Sequence, residues 1–360
     1  MLSNTESITS AYLLPPTTMS IATAAVNAVP YLTLNNGARM PGIGMGCWMG
    51  DDSNEIVEEM VKNALANGYR HIDTVIDPVF RLAVGIAHPF TFATISNAAR
   101  VVGNEERVGK AIRESGLARS EIFLTTKLPN LAHHRVRESF EESFSKLNCG
   151  YIDLYLMHWP QARVGDRVLQ EDEHPTFVDT WKDMEKLLNT GKVKSIGISN
   201  FSIKNLEKLL PRCTVIPATN QVELHPSLPQ FELVKYCQEK GIVVTAYSPF
   251  GQYKRIFFED PDFISVAKAH NATVAQVAIA WALQRGTVPI PKSANIGRMK
   301  ENISLIHLTP EEMELVNNIH KKPGMHRSLV RFGDSPPDKI FGWTYEQLGW
   351  PMTTGGIVVA

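Results

Sequence analysis

Short apolar runs alternate along the chain with longer segments in which apolar residues recur every three or four positions. Runs of the first kind predict buried strands, and segments of the second kind predict amphipathic helices. The pattern predicts eight strands, at 43–48, 69–73, 121–126, 151–157, 193–198, 218–222, 242–247 and 287–290. Eight strands that alternate with helices favour an α/β fold with a parallel sheet, here closed into a single (β/α)8 TIM barrel.

Helical periodicity fills most of the gaps between these strands. A first helix follows Ser53, which can cap it, and has an apolar face from Ile56 to Leu65 before Gly68 ends it. The other predicted helices cover 132–147, 177–189, 203–210, 230–240 and 273–285. After the last strand, the segment Thr309-Pro310-Glu311-Glu312 predicts one more helix, because it combines a capping box with proline in the first turn.

The N-terminal region differs from the rest of the chain. Residues 1–29 are rich in Ser, Thr and Ala and contain neither Lys nor Arg, which predicts a disordered tail rather than a secretory or transit signal. Alternatively, translation starts at Met19. Residues 31–34 and 38–41 flank an Asn-Asn-Gly turn and predict a small β-hairpin. The barrel is therefore expected to occupy residues 30–360.

The composition is that of an ordinary globular protein: 44% of the 360 residues are hydrophobic, 20% are charged, and the formal net charge is -1. Because no long basic run is present, neither a nucleic acid nor an anionic membrane is expected as a partner. No apolar run reaches the ~20 residues of a membrane span. The cysteines have no paired spacing, which favours reduced thiols in a cytoplasmic protein, and no metal site is predicted.

The segment 290–302 follows the last predicted strand and is rich in polar side chains, namely Lys292, Ser293, Arg298 and Asn302. A helix that begins near Asn295 would place its free backbone N–H groups and its positive dipole end where they favour an anion. Arg298 could form paired hydrogen bonds with a phosphate, and Lys292 would add a point charge. The alternative is a solvated basic loop.

Polar motifs also stand at the ends of five earlier apolar runs. They are Gly68-Tyr69-Arg70-His71-Ile72-Asp73-Thr74, Thr125-Thr126-Lys127, Leu156-Met157-His158-Trp159-Pro160, Gly197-Ile198-Ser199-Asn200 and Ala246-Tyr247-Ser248-Pro249. Together with the segment 290–302, their order and spacing resemble the aldo-keto reductase family, from about residue 31 to residue 350. The tail from Phe341 to Trp350 is similar to that of fungal members that act on glyceraldehyde, glycerol or sugar-derived aldehydes.

The resemblance implies NADPH-dependent reduction of aldehydes or ketones to alcohols, by a monomer whose partner is a small carbonyl compound. The implied catalytic residues are Asp73, Lys127 and His158, and the implied substrate-binding residues are Trp48, His158 and Trp159. The implied cofactor-binding residues are Thr74, Ser199, Asn200, Gln221, Tyr247, Ser248, Lys292, Ser293, Arg298, Glu301 and Asn302. NADPH is expected rather than NADH because the basic cluster would hold the 2′-phosphate. The segment 322–360 would form a pocket loop over the barrel mouth.

One position departs from the family pattern. In the family, an acid tyrosine follows the His-Ile-Asp-Thr motif by a few residues, and a lysine paired to an aspartate helps it by stabilising the phenolate. Here Val102 occupies that position, after an apolar and nearly uncharged insert at about 76–100. Three interpretations are open. The insert is a retained intron and the protein is shorter and has the tyrosine; or the chain is an NADPH-binding pseudoenzyme; or another group, such as Tyr253 or a water molecule, replaces the acid.

Overall fold

The structure, a computed structural model, describes residues 28–48, 56–75, 104–252, 254–330 and 338–359. Several predicted features lie outside the described residues: almost all of the tail 1–29, the helix cap at Ser53, the insert at 76–100, and the side chains of Val102 and Tyr253. In the described ranges, no helix combines the length and the apolar character that crossing a membrane requires.

The predicted N-terminal hairpin is present. Strand β1 (Tyr31–Thr33) pairs antiparallel with β2 (Arg39–Pro41), and Gly37 in the turn adopts a φ of +85°. The side chains of the turn asparagines donate hydrogen bonds to Pro217 O and to Ser195 Oγ, at 3.0 and 2.9 Å. These acceptors lie near the N-terminal ends of two barrel strands, so the hairpin covers the end of the barrel opposite to the strand C termini.

Eight parallel strands in one sheet form the centre of the molecule and confirm the predicted (β/α)8 fold. They are β3 (Met45–Gly46), β4 (His71–Asp73), β5 (Phe123–Leu128), β6 (Ile152–Met157), β9 (Val193–Ser199), β10 (Thr219–Glu223), β11 (Val243–Tyr247) and β12 (Val288–Pro289). Each strand pairs with the next one along the chain in this series. The short hairpins β7 (Arg163–Val164) with β8 (Arg167–Val168), β13 (Lys339–Ile340) with β14 (Trp343–Thr344), and β15 (Met352–Thr353) with β16 (Ile357–Val358) were not predicted.

Backbone hydrogen bonds join the first and last barrel strands and close the ring. The N–H groups of Gly44 and Gly46 donate to the carbonyls of Pro289 and Pro291, each at 3.0 Å. A Cβ atom on Gly46 would lie 2.8 Å from the carbonyl oxygen of Ile290, which is closer than van der Waals contact allows. Glycine is therefore required at this position for the two strands to approach each other.

Helices cover the outside of the barrel. They are α1 (Val57–Ala66), α2 (Glu105–Arg113), α3 (Val136–Leu147), α4 (Phe177–Leu187), α5 (Ile203–Leu209), α6 (Phe231–Glu239), α7 (Pro261–Ala269), α8 (Val274–Gln284), α9 (Ile296–Ile303), α10 (Pro310–Asn317) and α11 (Tyr345–Leu348). The predicted helix near Asn295 and the capping box at Thr309 are confirmed. Ile56 was wrongly placed on the buried face of α1: it is 46% exposed because it precedes the first helical residue. Helices α2, α7 and α11 were not predicted.

Candidate active site

A buried ion pair lies at the C-terminal ends of β4 and β5, where barrel enzymes carry their functional residues. Lys127 Nζ is 2.6 Å from Asp73 Oδ1 and donates to the carbonyl of Thr74 at 3.1 Å. The other oxygen of Asp73 accepts a hydrogen bond from Gln221 Nε2 at 2.7 Å. Only 3% of Lys127 and 5% of Asp73 are exposed. The ammonium of Lys127 and both carboxylate oxygens of Asp73 therefore have hydrogen-bond partners, which a buried ion pair requires.

His158 follows β6 and faces the same space as Lys127. Burial of the ring, and next the positive charge of Lys127, lower the pKa of His158 to about 3. The imidazole is therefore neutral at neutral pH and can donate from one nitrogen without carrying a charge. Its backbone is fixed by Asn200, whose Nδ2 donates to the His158 carbonyl at 2.9 Å.

Amide and hydroxyl groups from β9, β10 and β11 form a continuous hydrogen-bonded network. Ser199 Oγ donates to the carbonyl of Gln221 at 2.7 Å, and Asn200 Nδ2 donates to Ser199 Oγ at 3.1 Å. Tyr247 OH donates to Asn200 Oδ1 at 2.9 Å. Asn200 adopts a φ of 64° and Ser248 a φ of 49°, both in the left-handed region. Burial, and next the charge of Glu223, raise the pKa of Tyr247, so its hydroxyl remains a donor.

The basic segment surrounds the N terminus of α9. Asn295 Oδ1 accepts a hydrogen bond from the backbone N–H of Arg298 at 3.0 Å and so caps the helix. Ser293 and Asn302 are buried, whereas Lys292 and Arg298 each keep a large part of their surface exposed. Partial burial, and next the charge of Arg298, lower the pKa of Lys292. Two cations beside a helix N terminus attract an anion.

One cavity of about 600 Å³ connects these groups. Of the site residues predicted from the sequence, Asp73, Lys127, His158, Trp48, Trp159, Ser199, Asn200, Gln221, Tyr247, Ser248, Lys292, Ser293, Arg298, Glu301 and Asn302 line it. Thr74 does not. It is fully buried behind the cavity, where its hydroxyl donates to Asn104 Oδ1.

Two aromatic residues that the sequence places at the pocket differ in exposure. Trp48 is 37% exposed, and Trp159 is buried. The ring of Trp159 meets Phe341 edge to face, with 5.2 Å between ring centroids. Phe341 and Val330 both line the cavity, so the C-terminal segment contributes to the pocket wall as the family resemblance implied.

The motifs did not identify several other residues at the cavity or behind it. Cys47 lines the cavity; burial, and next the charge of Asp73, raise the pKa of its thiol, so it is not a thiolate nucleophile. Asn104 Nδ2 donates to the carbonyl of Cys47 at 2.6 Å. Phe250, Arg255 and Phe258 reach the cavity from the loop after β11. The motif Ala246-Tyr247-Ser248-Pro249 marked the start of this loop but did not indicate these three residues.

Comparisons with known proteins agree with this geometry. The profile of the Aldo/keto reductase family matches residues 42–321. The glycerol 2-dehydrogenase (NADP(+)) of Saccharomyces cerevisiae is 39% identical over 315 residues, which is 82% of this chain and 92% of the relative. An aldehyde reductase of the same yeast is 38% identical over 329 residues, or 86% of this chain and 97% of the relative.

Solved structures give the same result. The crystal structure of an aldo-keto reductase from Bombyx mori in complex with NADP matches with a TM-score of 0.71 and 32% identity. The match covers 85% of this chain and 96% of the silkworm chain. With most of its length matched both by the family profile and by these relatives, the chain belongs to the aldo/keto reductase family.

Proposed function

We propose that this protein is an NADPH-dependent oxidoreductase that reduces small aldehydes or ketones to alcohols. The single observation that supports this function best is the buried pair of Lys127 and Asp73 beside the neutral imidazole of His158 in one cavity. D-Glyceraldehyde is the first substrate to test, because one relative that matches most of the chain is named an aldehyde reductase. Dihydroxyacetone is the second, because oxidation of glycerol at carbon 2, for which another relative is named, gives this ketone.

The cavity residues fit the cofactor. Ser199, Asn200 and Gln221 present hydroxyl and amide groups that complement a carboxamide, and Tyr247 provides an aromatic ring beside them. At the other end, Lys292, Ser293 and Arg298 lie at the N terminus of α9 and complement the 2′-phosphate, and Asn302, in the last turn of the same helix, adds an amide for the phosphate or the adenine. The volume of the cavity is within the roughly 300–1,000 Å³ of ligand pockets. NADPH, when bound, supplies the hydride.

The chain's own residues would bind and polarise the carbonyl. A neutral His158 can donate an N–H hydrogen bond to the carbonyl oxygen and orient it. The ammonium of Lys127, fixed by Asp73, places a positive charge near the oxygen on which negative charge develops. A proton must also reach this oxygen, and the family position for its donor is Val102.

A lysine substitution tests this function. Lys127→Met should lower the turnover of NADPH with D-glyceraldehyde by roughly 10²- to 10³-fold, because it removes the positive charge beside the oxygen on which negative charge develops. The matched control is Lys322→Met, which removes another lysine held in an ion pair, here with the carboxylates of Asp260 and Asp262, outside the cavity. Unchanged turnover in Lys127→Met, measured from the decay of NADPH absorbance, would contradict the assignment.

A catalytically impaired NADPH-binding protein is a second candidate, favoured by one sequence observation. Valine at position 102 can neither donate a proton nor form a phenolate. On this alternative, the chain of 360 residues binds NADPH, as seen in a cofactor fluorescence titration, but oxidises none of it in the presence of aldehydes. Sustained turnover by the chain as written would exclude this alternative.

A further inference from the structure

Glu223, the last residue of β10, forms a buried hydrogen-bonding centre outside the motifs described above. Only 6% of the residue is exposed. Its Oε1 accepts hydrogen bonds from the backbone N–H groups of Leu329 and Val330, at 2.7 and 3.2 Å, and from His225 Nε2 at 2.9 Å. Its Oε2 accepts from Ser328 Oγ at 2.5 Å. One carboxylate therefore holds three consecutive residues of the C-terminal segment.

This centre lies between the proposed nicotinamide site and the pocket wall. Glu223 is two residues after Gln221 on the same strand, so the two side chains leave the same face of β10. It pairs in register with Tyr247 on β11. Among the three residues that it holds, Val330 lines the cavity. The carboxylate thus connects the strands that carry the proposed nicotinamide site with one side of the pocket wall.

The other side of this wall has its own attachments. Gln161 Nε2 donates to the carbonyl of Ile340 at 2.9 Å, and the indole N–H of Trp343 donates to the carbonyl of Leu169 at 2.7 Å. These bonds fix the segment that includes Phe341. The wall is therefore attached on its Phe341 side to the segment between β6 and α4, and on its Val330 side to Glu223.

We propose that Glu223 is a positioning residue that fixes the Val330 side of the pocket wall and thereby affects how well carbonyl substrates fit. A substitution that removes the carboxylate leaves two backbone N–H groups and a hydroxyl without their acceptor in a buried place, which favours another arrangement of residues 328–330. The effect on substrates rests on the proposed reductase function, whereas the effect on the backbone does not.

Hydrogen exchange of the NADP⁺-loaded protein tests the backbone part without any turnover. In Glu223→Ala, the amides of Leu329 and Val330 should exchange roughly 10-fold faster than in the wild type. The matched control is Glu185→Ala, because Glu185 accepts in the same way from the N–H groups of Thr214 and Val215, at 2.7 and 2.8 Å, and does not line the cavity. The proposal would be overturned if the amides of residues 329 and 330 exchanged equally fast in the wild type and in Glu223→Ala. It would also be overturned if the same two amides were accelerated as much in Glu185→Ala as in Glu223→Ala.

Kinetics test the substrate part. Glu223→Ala should raise KM for D-glyceraldehyde roughly 10-fold with kcat within about 3-fold of the wild type, and should leave the Kd of NADPH nearly unchanged. If the wild type shows no turnover, the Kd of glycerol for the NADP⁺-loaded protein replaces KM. An equal loss of NADPH affinity, or an unchanged KM and Kd for the small molecule, contradicts the positioning role.

A second variant is available if Glu223→Ala does not fold. Glu223→Asp keeps the negative charge but shortens the side chain by one methylene group, so that it no longer reaches the N–H groups of residues 329 and 330. It should show the same faster exchange and the same rise in KM. Wild-type values for both quantities in Glu223→Asp would also overturn the proposal.

Discussion

Two buried acidic residues, Asp73 and Glu105, differ in the partners that the fold provides for their carboxyl groups. Asp73 has Lys127 on one oxygen and Gln221 on the other, at 2.6 and 2.7 Å. Glu105 is fully buried at the start of α2, and its Oε1 accepts from Thr126 Oγ1 at 2.7 Å. Its Oε2 has no hydrogen-bond partner among the described residues. Burial therefore raises the pKa of Glu105 to about 7.

This pKa predicts a pH dependence of stability with a definite sign. The folded state keeps the proton of Glu105 up to about pH 7, whereas an unfolded glutamic acid loses it near its ordinary value of 4.5. The free energy of unfolding should therefore fall as pH rises from about 4.5 to about 7, by at most roughly 3 kcal/mol from this residue.

The variant Glu105→Gln isolates this effect, because glutamine is neutral at every pH and can still accept from Thr126. It should be more stable than the wild type at pH 8 and nearly equal to it at pH 5, as measured by urea unfolding. Glu106→Gln removes the same charge from the exposed neighbouring position and serves as the control. A pH profile of Glu105→Gln parallel to that of the wild type would show that Glu105 does not titrate as expected.

At the scale of elements, prediction from sequence succeeded where a local pattern determines the structure. Most barrel strands lie within short and mainly apolar runs, with the polar strand β10 (Thr219–Glu223) as an exception. The polar residues at the C-terminal ends of the strands lie at one end of the barrel, so side chains from distant motifs meet in one cavity. The two-residue strands of the added hairpins are too short to show periodicity. The hydrogen bonds of Glu223 could not be predicted from a local pattern either, because Ser328 lies 105 residues further along the chain.

Helix α9 gives a prediction at this scale, because its cap residue binds the backbone of Arg298, one of the proposed phosphate contacts. Asn295→Ala removes the acceptor for the Arg298 N–H and should cost about 1 kcal/mol of stability. It should also raise the Kd of NADPH several-fold more than that of NADH, because Arg298 is displaced. Thr309→Ala removes the equivalent cap of α10, away from the cavity, and should lower stability without changing either Kd. Equal weakening of both cofactors in Asn295→Ala would contradict the 2′-phosphate assignment.

At the scale of the whole molecule, the chain leaves and re-enters the barrel at nearly one point. Thr74 and Asn104 flank the stretch that contains the insert, and the hydroxyl of Thr74 donates to the side-chain oxygen of Asn104. Asn104 in turn donates to the carbonyl of Cys47 at 2.6 Å, so both ends of the stretch are fixed beside β3 and β4. A few residues are sufficient to join two positions that are in hydrogen-bonding contact.

This junction allows a direct test of what the insert and Val102 do to activity. Deleting residues 76–99 together with Val102→Tyr leaves five residues between Thr74 and Asn104 and restores a tyrosine just before Gly103. If the absent acid limits the reaction, this variant should reduce D-glyceraldehyde roughly 10²- to 10⁴-fold faster than the full chain.

The same deletion with Val102 retained, and the full chain with Val102→Tyr, separate the effect of the tyrosine from that of the length. NADPH affinity, measured by cofactor fluorescence, should be similar in all four proteins, because none of the changes alters a residue of the proposed cofactor site. A full chain that is already as fast as the shortened tyrosine variant would show that another group supplies the proton, and a shortened tyrosine variant that binds NADPH but stays inactive would show that the missing acid is not what limits this site.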